Sequence, residues 1–292
     1  MTKAQGIHQN ARSVADAAGD LLLQADLLAK AMVVGDHARR EPGIGDHFWQ
    51  YRPFENGIDL PRDIDHRRSA KQDQDFVRQL EWKAPQILHL WVDAGASMQF
   101  CSTGYAEKHT RASVMALALA IAAERVGESV GLCDGNLPPA RGRGQIFRLA
   151  ESLSAIIEKD YVSASASDFA TGSSAIIASD FFADMQKTEY TLSRASDQGV
   201  RGILLQVLDP SELSFPFQGR TIFQSVLGSV EHNTLWADDL RRPYLARLAA
   251  LQERLKDLAS MAGWSYVCYD GTQSPIHIAS KLFFLLSGGR IR

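Results

Sequence analysis

Residues 87–92 read Ile-Leu-His-Leu-Trp-Val, and Asp93-Ala-Gly-Ala-Ser-Met follows at once. The run has the length of one strand. It lacks the regular alternation of apolar and polar residues that marks a strand with one solvent-exposed face, and this is typical of a strand covered on both sides. It therefore predicts the central strand of a sheet, with Asp93 at its carboxyl end.

Strand-like and helix-like segments alternate along the rest of the chain. This alternation predicts an α/β fold with a doubly wound, mainly parallel sheet and helices on both faces, because crossovers between parallel strands are right-handed. Further strands are predicted at 130–133, 175–179, 203–208 and 265–269, an edge strand at 145–148, and helices at 108–126, 182–198, 238–262 and 276–286.

Three segments follow from this pattern. Residues 85–292 form the α/β domain, and residues 1–40 contain an amphipathic helix. Residues 41–84, rich in Pro and Gly before a strand-like stretch at 76–82, are predicted to be a loop and strand segment packed on the main domain. For the amphipathic helix two interpretations stay open: it packs on the main domain, or it docks onto a partner or a membrane surface.

Composition narrows the class of protein. The 292 residues are 45% hydrophobic with a formal net charge of −3, which gives no attraction to nucleic acid. Three widely separated cysteines indicate a reducing compartment rather than a disulfide framework. The sequence has neither a signal peptide nor an apolar run of roughly 18 residues, so we expect a cytoplasmic protein without a transmembrane segment.

Two predicted strands end in aspartate, at Asp93 and at Asp180. Ligands of such sheets bind beyond the carboxyl ends of strands where the winding direction reverses, so two neighbouring strands there would bring the carboxylates together. Converging carboxylates suit Mg²⁺. Alternatively, each aspartate accepts backbone N–H groups at the start of a helix.

The Asp93-Ala-Gly-Ala-Ser97 loop resembles the first metal-ligand loop, Asp-x-Ser-x-Ser, of von Willebrand factor A-like domains. The wider context is similar to the bacterial family called domain of unknown function 58. The resemblance covers roughly residues 39–210. It rests on the following segments, in this order: Tyr51-Arg-Pro53, Asp59, Arg62, Ile64-Asp65-His66, Ser69-Ala-Lys71, Glu81, Asp93–Met98, the strand Val130-Gly-Leu132 after Gly127, and the strand end Ser179-Asp-Phe181.

The resemblance implies a degenerate metal-ion-dependent adhesion site (MIDAS) in which Asp93, Ser97 and Asp180 contribute to Mg²⁺ binding. Gly95 stands where the motif has its first serine, and residues 141–147 lack the expected threonine. The implied partner is a MoxR-type AAA+ ATPase or its client. The face predicted to bind it includes Gly95, Asp59, Arg62 and Asp65. The acidic and basic residues at 59–78 are interleaved, however, and also suit an ion-paired strut.

Function is predicted to be non-enzymatic protein interaction through the Asp93 face. The alternative is a metal-dependent hydrolase or phosphotransferase with Asp93 as nucleophile. Haloacid-dehalogenase-like enzymes, which place their nucleophile at such a strand end, need a second aspartate where Gly95 stands. The chain also has no G-x-S-x-G, Walker or H-E-x-x-H motif. A third interpretation is a scaffold that binds partners without a metal.

Overall fold

The computed structural model describes residues 3–36, 48–53, 76–80, 86–164 and 169–287, with side-chain surroundings for 15–32, 86–164 and 169–287. The helices are α1 Lys3–Asp36, α2 Lys108–Arg125, α3 Arg143–Leu153, α4 Met185–Asp197, α5 Pro210–Ser214, α6 Ala237–Met261 and α7 Pro275–Leu286. The strands are β1 Phe48–Pro53, β2 Phe76–Leu80, β3 Ile87–Val92, β4 Ser129–Leu132, β5 Ser174–Ser179, β6 Arg201–Val207, β7 Thr221–Gln224, β8 Glu231–Thr234 and β9 Ser265–Tyr269.

The central sheet has five parallel strands in the order β4-β3-β5-β6-β9. The chain goes from β3 to β4 on one side and then to β5 on the other, so the winding direction reverses between β3 and β5. The predicted α/β class and the parallel sheet are confirmed. Strand β3 is an inner strand next to the edge strand β4, and the central position that we predicted for it belongs to β5.

Helices cover both faces of the sheet, as predicted. Successive strand residues point to opposite faces, so Leu90 lies in one apolar core and Trp91 in the other. The first core includes residues of α2, α3 and α7, and the second includes residues of α4 and α6. Helix α2 is buried on nearly all sides because α1, α3 and α7 also pack against it.

The chain divides into two compact units. One unit consists of Met1–Ala38 and Gln86–Arg292, and within it α1 contacts α2, α3 and α7. The other consists of Arg39–Pro85, where β1 and β2 pair antiparallel with Pro53 opposite Phe76. The predicted packing of 41–84 on the main domain stays a prediction.

One local prediction is wrong, and some short elements were not predicted. Residues 145–148 form part of helix α3 rather than an edge strand, because the buried residues recur with helical spacing at 145, 146, 149, 150 and 153. The β7–β8 hairpin and α5 were not predicted, because their short segments show little apolar periodicity. Among the residues that the structure describes, none of the helices combines the length and the hydropathy needed to cross a bilayer.

Candidate functional site

Asp93 and Asp180 lie side by side at the switch point of the sheet. Strands β3 and β5 are hydrogen-bonded neighbours, with Val92 opposite Ala178, and the Asp93 N–H donates to the Ala178 carbonyl at 2.8 Å. Both aspartates are 0% exposed. The predicted convergence of these two residues is therefore confirmed.

Each oxygen of the Asp93 carboxylate accepts a hydrogen bond from a neutral donor. Oδ1 accepts the Gly95 N–H at 2.8 Å and Oδ2 accepts the Ser179 hydroxyl at 2.7 Å. Burial, and then the charge of Asp180, raise the pKa of Asp93 to about 6. Gly95 directly precedes a 3-10 helix at Ala96–Gln99. The alternative that Asp93 accepts a backbone N–H at the start of a helix therefore holds for one of its two carboxylate oxygens.

Asp180 is held by a sharp turn of the backbone. Its Oδ1 accepts the Phe182 N–H at 3.0 Å, and Phe181 between them adopts a left-handed φ of 60°. Such a conformation is unfavourable for an aromatic residue and is common at functional sites. The alternative that Asp180 caps the next helix is wrong, because Asp184 caps α4 by accepting the Gln186 N–H.

A buried lysine completes the cluster. The ammonium of Lys108, the first residue of α2, lies 3.0 Å from Asp180 Oδ2 and 2.7 Å from Glu212 Oε1. Burial alone lowers the pKa of Lys108, but the charges of Asp180 and Glu212 outweigh it and the pKa is raised. We call Asp93, Lys108, Asp180 and Glu212 the charged centre.

The charged centre fits an ammonium rather than Mg²⁺. Mg²⁺ takes six oxygen ligands at close to octahedral geometry. All six carboxylate oxygens of the three acids accept hydrogen bonds from protein donors, including the Asp209 N–H on Glu212 Oε2. Within the described part of the chain no group of three His, Cys, Asp or Glu side chains is arranged for a metal. The metal site of Asp93, Ser97 and Asp180 stays a prediction.

Ser97 is the predicted ligand that the structure leaves unengaged. Its hydroxyl oxygen is buried and lacks a hydrogen-bond partner among the described residues. Ser97 also lines the pocket beside Lys108. A buried hydroxyl without a partner costs free energy, which a ligand group entering the pocket can recover.

Gly95 is needed for close backbone contact. A Cβ there would lie 3.0 Å from Asp93 Oδ1 and 3.2 Å from both the Asp160 carbonyl and the Val162 amide nitrogen. Segment 157–160 follows the Asp93 loop closely, with Ala96 N–H donating to the Lys159 carbonyl. Gly95 is buried in this arrangement, so its predicted contact with a partner requires the segment to move.

A pocket of about 300 Å³ opens above the charged centre. Half of its lining residues are aromatic, and the rings of Phe215, Phe217, Phe223 and Tyr244 pack together at centroid distances of 4.9–5.6 Å. Lys108 and Glu212 line its polar end. The pocket is thus an aromatic cavity with a charged floor.

The tip of the β7–β8 hairpin forms one rim of this pocket. Asp160 holds the tip by accepting the Ser225 hydroxyl and the Leu227 N–H, both at 2.8 Å, and the N–H and hydroxyl of Ser229. These bonds, the Ser229 hydroxyl first, lower the pKa of Asp160. Val226, which lines the pocket, and Leu227 are about half exposed, at 47% and 52%.

The remaining predicted site residues cannot be placed. Asp59, Arg62 and Asp65 lie outside the described residues. Conversely, Lys108 and Glu212 were not predicted as site residues. Glu212 carried a recognisable signal, because Asp209-Pro-Ser-Glu212 is a capping box directly after a strand. The signal for Lys108 was weaker. It is the first residue of the helix that follows β3, and this connection starts at the same edge of the sheet as the site.

Comparisons with known proteins agree with the family resemblance. The model of the family described as protein of unknown function DUF58 matches residues 50–253. A comparison with curated proteins finds no match. Among solved structures, the conserved hypothetical protein BatB from Bacteroides thetaiotaomicron aligns with 14% identity and a TM-score of 0.38, over 70% of this chain and 100% of that chain. Similarity at that level carries no argument about fold or function.

Proposed function

This chain belongs to the family of proteins of unknown function DUF58, and from its site we propose that it is a non-enzymatic protein-interaction module. The proposal places the binding surface at the aromatic pocket and the hairpin tip. The carrying observation is that exposed Leu227 and Val226 adjoin a pocket with largely aromatic walls. Exposed apolar side chains beside an aromatic cavity are typical of protein-binding sites.

The charges at the floor of the pocket favour an uncharged side chain as the group that the partner inserts. Asp180 and Glu212 already outnumber Lys108, and ionised Asp93 adds another negative charge at neutral pH. An acidic side chain would meet net repulsion there. We therefore propose that the partner inserts an apolar or aromatic side chain, with a polar tip that reaches Ser97.

The resemblance stated above supports a MoxR-type AAA+ ATPase or its client as the partner. This identity rests on the family alone and stays a proposal, as does a cytoplasmic location. The von Willebrand factor A-like classification is likewise part of the proposal, supported by the Asp93–Ser97 loop at the switch point.

The alternative, a hydrolase or phosphotransferase that uses Asp93 as nucleophile, finds less support. A nucleophile has to reach its substrate, whereas Asp93 is 0% exposed and both of its oxygens accept protein hydrogen bonds. We therefore favour binding over chemistry at this residue.

The proposal is tested by direct binding of the full chain to a purified MoxR-type ATPase from the same genome. The test variants are Leu227→Asp on the hairpin tip and Tyr161→Ala on the pocket lining, since both residues are exposed and their replacement spares the core. The matched control is Met261→Asp, an apolar residue that is 83% exposed at the end of α6.

Loss of binding in both test variants, with the control unchanged, is the expected result. Binding that survives both variants would contradict the proposed surface. A different partner, captured from native lysate and then shown to bind directly with the same dependence, would keep the module and replace the ATPase. Turnover of phosphoesters that disappears in Asp93→Asn would overturn the non-enzymatic function.

A further inference from the structure

The charged centre already contains a cation of its own. The Lys108 ammonium stands between carboxylates of two elements, Asp180 at the end of β5 and Glu212 in α5. Its side chain is 1% exposed. The rings of Phe100 and Phe182 lie 5.9 Å and 5.3 Å from the ammonium, so aromatic faces complete its surroundings.

The carboxylates of the charged centre are arranged around hydrogen-bond donors of the protein rather than around an empty metal coordination sphere. Asp93 accepts hydrogen bonds from an N–H and a hydroxyl, and Glu212 accepts the Asp209 N–H on the oxygen that does not contact Lys108. A divalent ion would have to displace Lys108 from Asp180 and bury the displaced ammonium elsewhere. Both steps are costly because the side chains of Lys108 and Asp180 are buried.

Gly95 completes the same arrangement. The serine that a metal loop would carry at this position is replaced by a residue without a side chain, and segment 160–162 fills the space. The loss of a hydroxyl ligand and the presence of an internal cation therefore occur together.

We propose that Lys108 is the resident cation of the charged centre, and that it takes the place that a divalent metal ion would otherwise hold. The site then binds its partner without a metal. This inference goes beyond the proposed function because it concerns how the centre is held together, and its test needs no partner.

The first test uses the wild-type chain with MnCl₂ and MgCl₂ alone. We expect no change in Tm up to millimolar metal. We also expect no paramagnetic broadening by Mn²⁺ of the backbone amide signals of residues 93–97 and 180–182. Broadening confined to these signals, and abolished by Asp180→Asn, would overturn the proposal.

The second test uses Lys108→Ala, which leaves the carboxylates and opens space for an ion. We expect a lower Tm than that of the wild type, raised again by Mn²⁺ or Mg²⁺. The double variant Lys108→Ala/Asp180→Asn should lose this metal response, and the surface control Lys256→Ala should never acquire it. A folded Lys108→Ala variant that ignores both ions would also overturn the proposal. If this variant does not fold, the wild-type titration decides.

Discussion

The ammonium nitrogen of Lys108 lies 3.0 Å from Oδ2 of Asp180, and both side chains are only 1% exposed. Asp180→Asn removes one of the two carboxylates that compensate the buried ammonium and leaves Glu212, at 2.7 Å, as its remaining charged partner. We expect Asp180→Asn to lower the free energy of unfolding by about 3 kcal/mol. Urea denaturation measures this change.

The matched control for the buried pair is Glu253→Gln, which breaks the exposed ion pair with Lys256. It should change the free energy of unfolding by about 0.5 kcal/mol or less. If Asp180→Asn costs no more than this control, the buried pair does not stabilise the fold.

A second prediction concerns Asp93 and pH. Its pKa is raised from 3.8 to about 6 in the folded state, so the folded chain holds the proton after the unfolded chain has lost it. The stability contribution is present at low pH and is lost as pH rises through about 6. Asp93→Asn removes this loss, so the variant should gain up to about 3 kcal/mol relative to wild type between pH 4 and pH 7. Denaturation at several pH values measures the difference, and a constant offset between the two chains would contradict the prediction.

A third prediction concerns His109, whose contribution to stability changes with pH in the opposite direction. Burial lowers its pKa from 6.5 to about 4, so the unfolded chain takes up a proton first as pH falls. The stability contribution is therefore present above about pH 6.5 and is lost between pH 6.5 and pH 4. Relative to wild type, His109→Gln should become progressively more stable over this range, by up to about 3 kcal/mol at its lower end. The same denaturation series detects it, and a difference that does not change with pH would count against a neutral buried His109.

A fourth prediction concerns Gly95. Gly95→Ala places a methyl group 3.0–3.2 Å from Asp93 Oδ1 and two backbone atoms, so the loop has to shift. We expect a loss of about 1–3 kcal/mol by urea denaturation. The control Gly144→Ala, in α3, meets nothing within 4 Å among the described residues and should be neutral or stabilising by up to about 1 kcal/mol. Equal effects of the two substitutions would show that the close approach at Gly95 does not matter.

The hairpin tip provides a fifth prediction. Asp160→Ala removes the acceptor of Ser225, Leu227 and Ser229, so amide hydrogen exchange at Leu227 and Ser229 should become faster. Exchange in α6 should stay at the wild-type rate, which serves as the internal control. Unchanged exchange at Leu227 would mean that Asp160 does not order the tip.

Much of the fold was predictable from local pattern. The run 87–92, which is apolar except for His89, indicated an inner strand because a strand covered on both faces carries mainly apolar residues on both sides. The alternation of strands and helices fixed the parallel arrangement through the handedness of crossovers. The edge strand at 145–148 was wrong because burial on one helical face outweighs the glycines that precede it.

The sequence by itself determined that Asp93 and Asp180 end strands, and that these strands belong to one parallel sheet. Only the tertiary structure decided that β3 and β5 are neighbours, and that Lys108 and Glu212 meet between them. Lys108 and Glu212 are separated by more than 100 residues, and so are Asp93 and Glu212, so no local spacing records their contact. Their meeting follows from the order of the strands, which is set by how whole faces of the sheet and helices bury apolar surface together.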